Sequence, residues 1–320
     1  MKIKLTAHLC LVLILLSAAS CISTPAGMPA PVYSYGYIDE TGKIIVPLEY
    51  KRVSGFSENR AFLFTDNSCI CIDTSGRTVF TRNYINARPY SQSLAAVQDK
   101  SGSWGYIDLD GTEVIGLRFD DAGNFSLDRA PVKSGGKWGV IDKFGTFMVM
   151  PMYDKIREHR EYLMPAAKQT GWDNDIPLFK WGYITGDGKV RIEFQFDDAW
   201  PFYNNRARVV KREARYISKT GYIDANGSLV IPFTFVYARD FIGDSAAVSN
   251  GKDWGIIDKK GSSVRPLSST FEIDPARSLN LVYSGGMFGY ADKDGNTVIE
   301  PQFDFAEQFS NGRAVAGKKK

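Results

Sequence analysis

Histidine is nearly absent from this 320-residue chain, which holds only His8 and His159. With one imidazole outside the N-terminal segment, Ser-His-Asp or Cys-His catalysis would have to rest on His159. That residue lies in the polar stretch Glu158-His159-Arg160-Glu161 with no nucleophile motif nearby, and reads as a solvated loop residue. Cysteine is scarce too: Cys10 and Cys21 sit near the N-terminus, leaving Cys69 and Cys71. Two residues apart on an extended strand, this pair fits a disulfide poorly, and a zinc site of several His or Cys is excluded by count within one subunit. We read both as small buried hydrophobes. The Gly-x-x-x-x-Gly-Lys-Ser/Thr loop and the dinucleotide fingerprint are missing, so no cofactor is expected. Asp108-Leu109-Asp110-Gly111 and Asp292-Lys293-Asp294-Gly295 hint at calcium but lack the other ligands of an EF-hand loop, so no metal site is expected either. No stretch carries a 3.6-residue apolar stripe.

Charge excess is lacking as well. Lys2 and Lys4 account for two units of the formal +3, so the chain from Cys21 onward carries +1. A near-neutral body offers no electrostatic footprint for nucleic acid. Lys318-Lys319-Lys320 reads as a solvated tail that discourages edge pairing. Apolar runs long enough to span a bilayer are missing throughout. The run Leu9–Leu16 is short, follows Lys2 and Lys4, and leads into Ser17-Ala18-Ala19-Ser20, the layout of a secretory signal over residues 1–20. Small residues abutting Cys21 resemble the lipobox of bacterial lipoproteins, with Ala18 where Leu is usual. That resemblance implies diacylglyceryl transfer to Cys21 and cleavage before it; the alternative is an ordinary secreted protein. Residues 21–34, rich in Pro, Ser and Ala, read as a flexible tether to the envelope membrane.

What the chain has is repetition. An Asp-x-x-Gly turn recurs with its first position at Asp39, Asp73, Asp108, Asp142, Thr185, Asp224, Asp258 and Asp292, at steps of 34, 35, 34, 43, 39, 34 and 34 residues. The glycine three positions on is present in all eight copies, which points to φ > 0, while the aspartate can bond the turn's own amides. An aromatic-Gly-x-Ile pattern precedes the turn, as in Lys137-Trp138-Gly139-Val140-Ile141-Asp142; Cys69-Ile70-Cys71 replaces it in one unit and Thr220 takes the aromatic place in another. After the turn, Pro47, Pro151, Pro232 and Pro301 should close a strand or lie at an edge. Then come an aromatic, as in Phe119-Asp120-Asp121-Ala122, and a second one at Phe56, Tyr90, Phe125, Phe202, Phe241 and Phe309.

The expected fold is therefore all-β, about eight three-stranded units of about 34 residues over residues 35–320. The body starts with the second half of a unit, Tyr35 to Pro47, and ends with the first half of one, Arg313 to Ala316. If the halves meet, the array is a closed β-propeller-like ring without a long open edge; the alternative is an open β-solenoid. The 43-residue step marks an insertion around Leu163 to Phe179, read as a surface loop. Its Trp172, Asp173 and Asp175 are the candidate interaction residues.

The units at Lys137–Gly145 and Asp253–Gly261 resemble WG repeats, also called KWG repeats, found in bacterial proteins including many exported ones. The resemblance implies an all-β repeat protein that binds or scaffolds, and it carries no catalytic residue to transfer. The functional expectation is a lipid-anchored envelope module that recognises a protein or polysaccharide and is not an enzyme. Alternatives are a glycan hydrolase using converging carboxylates and a purely structural envelope component. Fatty-acid labelling should depend on Cys21; label retained by Cys21→Ser would contradict the lipoprotein reading.

Overall fold

The computed structural model describes residues 32–66, 68–214, 217–266 and 278–320. The signal segment and Cys21 lie outside them. Short antiparallel strands form eight sheets, seven of four strands and one, Asn280–Ser284 with Met287–Ala291 and Thr297–Phe303, of three among the described residues. They are the eight blades of a β-propeller. Blade 3 is typical: Asp121–Ala122, Ala130–Ser134, Lys137–Ile141 and Phe147–Tyr153 pair in that order. Seven units thus have four strands where three are expected. The extra strand follows the first aromatic and, except for the six-residue Asp198–Tyr203 of blade 5, has two residues, as in Asp121–Ala122, too few to show any periodicity in sequence.

Ring closure is direct. Strand Tyr33–Asp39 runs antiparallel to the C-terminal Arg313–Lys319, with Tyr33 opposite Lys319 and Asp39 opposite Arg313. Together with Phe305–Ala306 and Ile44–Tyr50 they make blade 8, and the solenoid is ruled out. The first strand begins inside the segment read as tether, and Lys318 and Lys319, read as tail, belong to the closing strand. We number the others from blade 1, which begins at Arg52–Val53.

Each turn does what its residues dictate. Asp142 Oδ1 accepts the amides of Phe144 and Thr146 at 2.9 Å each, and Asp39, Asp73, Asp108, Asp224, Asp258 and Asp292 repeat the pattern. Thr185 substitutes its hydroxyl, accepting the Lys189 amide. The eight glycines have φ between 78° and 88°. The glycine of the Trp-Gly pair has a different reason. A Cβ on Gly139 would lie 2.4 Å from the carbonyl oxygen of Val149, and Gly36, Gly105, Gly182, Gly221 and Gly289 face the same obstruction at 2.3–2.6 Å. There the last strand bulges: Trp138 opposes Tyr153 but Val140 opposes Val149, so two residues face four. Pro47, Pro151, Pro232 and Pro301 sit in these last strands, at sheet edges as expected. Blade 1 lacks this glycine. With Ile70 in the glycine place, Cys69, Ile70 and Cys71 oppose Arg82, Thr81 and Phe80 in step, without the wide bulge.

Hydrophobic burial lies between blades. One cluster joins Trp104, Tyr106 and Ile115 of blade 2 to Ala122, Phe125 and Val132 of blade 3, and comparable clusters fill the other described interfaces. Across five interfaces a tyrosine packs on the next blade's aromatic with ring centroids 4.7–5.1 Å apart: Tyr37–Phe56, Tyr106–Phe125, Tyr183–Phe202, Tyr222–Phe241 and Tyr290–Phe309. Cys69 and Cys71 are free and fully buried in the interface of blades 1 and 2, and burial raises their thiols to about 12 and about 11.

His159 is not the solvated residue its polar neighbours suggest. It is 3% exposed, and stands nineteen residues after Val140, in the places held elsewhere by the aromatic and the tyrosine. Its Nδ1 has no partner, and burial, helped by Arg129, lowers its pKa to about 4.

Two outcomes follow from these exceptions. Gly139→Ala should lower stability by ~1–3 kcal/mol in urea unfolding, as overpacking does, and an unchanged midpoint would contradict the obstruction. An unfolded chain binds a proton on His159 near pH 6.5, the folded one only near 4, so stability falls as pH drops from 6.5 to 4. His159→Phe should therefore shrink the loss of thermal midpoint between pH 7 and pH 5; an unaltered loss would show that this imidazole is not its source.

Candidate binding cleft between two lengthened hairpins

The central hairpin of a regular blade is short, with strands of five residues in blade 3. In blade 4 its strands, Met164–Asp173 and Ile176–Ile184, have ten and nine residues. In blade 5 they are Arg206–Ala214 and Ile217–Ile223, nine and seven residues. The expected surface loop is thus a β-ribbon continuous with the blade. It pairs as far as Asp173 opposite Ile176 and turns at Asn174-Asp175, whose φ values of 45° and 63° suit a two-residue hairpin turn. Met164 to Ala167 are buried, so the first part of the segment read as insertion is core. The second ribbon was missed, although the 39-residue step before Asp224 is its signature.

The ribbons stand on adjacent blades and flank an open cleft of about 520 Å³. Leu178, Phe179 and Lys180 line one wall, Lys211, Arg212 and Glu213 the other, and Gln195 and Asp197 the floor. Leu178 and Phe179 are half-buried, whereas Lys211 and Arg212 are exposed. Asp197 ties the walls together: Lys180 Nζ donates to its Oδ1 at 2.8 Å and the Arg212 amide to its Oδ2 at 2.7 Å. Trp172, Asp173 and Asp175 are not brought into this cleft. They cap the tip of the first ribbon, where Trp172 is 65% exposed opposite Pro177.

Beneath the ribbons a ladder of cations and aromatics fixes their bases. Arg157 lies over Trp181 at 4.2 Å and over Trp200 at 4.7 Å, and Arg208 lies over Trp200 at 4.1 Å. Asp198 pairs with Arg157 at 2.8 Å and Asp240 with Arg208 at 2.6 Å, so both cations on Trp200 are neutralised. Trp181 belongs to the first ribbon's blade strand and Arg208 to the second's. Stacking with charge pairing of this kind holds the two walls in place before anything binds. The turn aspartates are engaged with their own backbone, and among the described residues no three His, Cys, Asp or Glu side chains come together as metal ligands.

The chain matches no curated protein sequence. Among solved structures it is similar to a eukaryotic initiation factor, at 14% identity over 84% of this chain and 81% of that one, with a TM-score of 0.51; this likeness is one of fold. It is also similar to BamB from Moraxella catarrhalis, at 12% identity over 91% and 90%, TM-score 0.46. The Dos1 propeller aligns at 8% identity over 90% and 95%, TM-score 0.45. The WG containing repeat matches residues 35–67, 104–138, 138–158, 181–213, 221–252 and 288–320. The stretch it skips between residues 67 and 104 includes the Cys69-Ile70-Cys71 strand that also lacks the bulge. As these matches cover more than half of the sequence, the chain belongs to the WG-repeat family.

Proposed function

We propose that this chain is an exported, lipid-anchored binding module of the cell envelope, and that a partner protein seats in the cleft between the ribbons of blades 4 and 5. One observation carries the reading: two adjacent blades of an otherwise regular ring are lengthened on the same side, and their ribbons flank an open cleft of about 520 Å³. Binding residues concentrate on such extensions of a rigid scaffold. The half-buried Leu178 and Phe179 supply apolar area, and Lys211 and Arg212 add charge on the facing wall. Glycan hydrolysis draws no support from the turn aspartates, whose carboxylates are occupied.

The register shows how to remove the upper part of the site while keeping Phe179, which packs against the core. Gln169 opposes Phe179 and Lys211 opposes Lys219, as Ser134 opposes Lys137 across the Gly135-Gly136 turn of blade 3. Replacing residues 170–178 and 212–218 each by Gly-Gly should leave the thermal transition of the ring in place. Deleting residues 163–179 outright would instead remove the buried Met164–Ala167. The trimmed protein should lose its partners in a pull-down from crosslinked envelope fractions; recovery of the same partners at the same yield would refute the assignment.

A further inference from the structure

The walls of the cleft are strand edges left without a neighbour. In blade 4 the outer strand Val190–Phe196 pairs with Ile176–Ile184 only from Trp181 opposite Phe196 onward toward the blade. Leu178, Phe179 and Lys180 therefore have no strand on that side among the described residues. In blade 5 the strand Asp198–Tyr203 reaches along Arg206–Ala214 only as far as Asp198 opposite Val210. Beyond it, residues 211–214 have no strand on that side either. Among the described residues the Asp197 carboxylate is the substitute there, accepting the Arg212 amide as Asp120 and Asp304 accept the Gly136 and Lys319 amides in other blades. Two open edges thus face each other across one cleft. Unpaired edge amides and carbonyls are a template for an added strand.

Charge identifies what kind of strand. Lys180 is committed to Asp197. Lys211 and Arg212 make no ion pair among the described residues, though both line the cleft, and the one carboxylate beside them on that wall, Glu213, is not bonded to either. We infer that the cleft receives an extended, acidic polypeptide segment of the partner, added as a strand against Leu178–Lys180 and residues 211–214, with its carboxylates on Lys211 and Arg212. This rests on the proposed function and specifies its partner. Backbone pairing supplies affinity in such a mode, and alternate side chains supply selectivity. Lys211 and Arg212 are consecutive on their strand and point to opposite faces, so guest carboxylates would neighbour Lys211 on one face of the added strand and Arg212 on the other.

The test uses the full chain from Cys21 and an array of capped octapeptides in which fixed valines alternate with varied residues. Captured peptides should be enriched in Asp and Glu at the varied positions. N-methylation of alternate amides in a captured peptide should weaken it by about tenfold or more, because it removes donors without altering side chains. Lys211→Glu with Arg212→Glu should weaken the same peptides by about tenfold or more at an unchanged thermal midpoint, since both side chains are exposed. Capture without acidic preference, or indifference to N-methylation or to the charge reversal, would overturn the inference. So would capture of envelope polysaccharide fragments in place of peptides, if ribbon trimming abolished it. Envelope partners lost on trimming while the array shows no acidic enrichment would sink strand addition and leave the cleft as the site. Peptides captured equally by the trimmed protein would sink the site itself.

Discussion

The ring depends on a buried hydroxyl. In five blades the tyrosine after the repeat's strand glycine donates from Oη to a backbone carbonyl seventeen residues on, in the next blade: Tyr37 to Ser54, Tyr106 to Gly123, Tyr183 to Trp200, Tyr222 to Arg239 and Tyr290 to Glu307, at 2.6–2.9 Å. These tyrosines are fully buried. A hydroxyl enclosed there must find an acceptor or pay its desolvation, on the order of 1–3 kcal/mol. The phenol ring adds apolar area against the next blade's aromatic, so one side chain joins packing and direction. Blade-to-blade geometry is thereby specified five times by the same atom, and cumulative error around the closed ring stays small.

Where the tyrosine is missing, the interface changes its chemistry. Cys71 takes the tyrosine place at the joint of blades 1 and 2, and Tyr90 takes the aromatic place, donating its hydroxyl to the Asp108 carbonyl at 2.9 Å. The hydroxyl has moved to the opposite side of the joint. At blades 3 and 4 Val140 and His159 replace both partners, leaving an imidazole with an unpartnered nitrogen. Further bonds brace the ring. Ser57 and Ser91 donate to the Tyr90 and Phe125 carbonyls at 2.6 Å, and the Glu58 carboxylate accepts the Ser93 amide at 2.8 Å. Arg313 reaches across the closure to the Thr74 carbonyl.

What was legible in sequence was whatever repeats with a local cause. The turn glycine and aspartate act within five residues, so eight copies reveal them, and half-units at the two ends imply closure by counting alone. The Trp-Gly glycine was legible as a pattern, but its cause, a carbonyl of the bulged neighbouring strand, is a contact between strands and leaves no local signature. The two-residue strands escaped because a period cannot be read from two residues. The charged neighbours of His159 point to solvent, whereas its register does not: thirty-four residues after Phe125, the repeat itself places it in an interface. The candidate site was half legible. The longer step drew attention to Trp172, Asp173 and Asp175, while the cleft is made by the base of that ribbon and by a neighbour with a smaller insertion.

A repeat protein tolerates such insertions because each unit is held only by its neighbours. Lengthening the hairpin of blade 4 adds residues beyond the Trp181–Phe196 pair, and of these only Phe179 packs against a described blade-to-blade cluster, so the ring's stability depends little on the rest. A single ribbon would stand alone with both edges exposed, a liability for aggregation. A second one on the adjacent blade converts that liability into a cleft, provided that the two are held at a fixed distance. Arg157 and Arg208 provide that spacing by both packing on Trp200, while Asp198 and Asp240 remove their repulsion. The selectivity of the cleft therefore resides in the ribbons, and its width in the repeat chemistry beneath them.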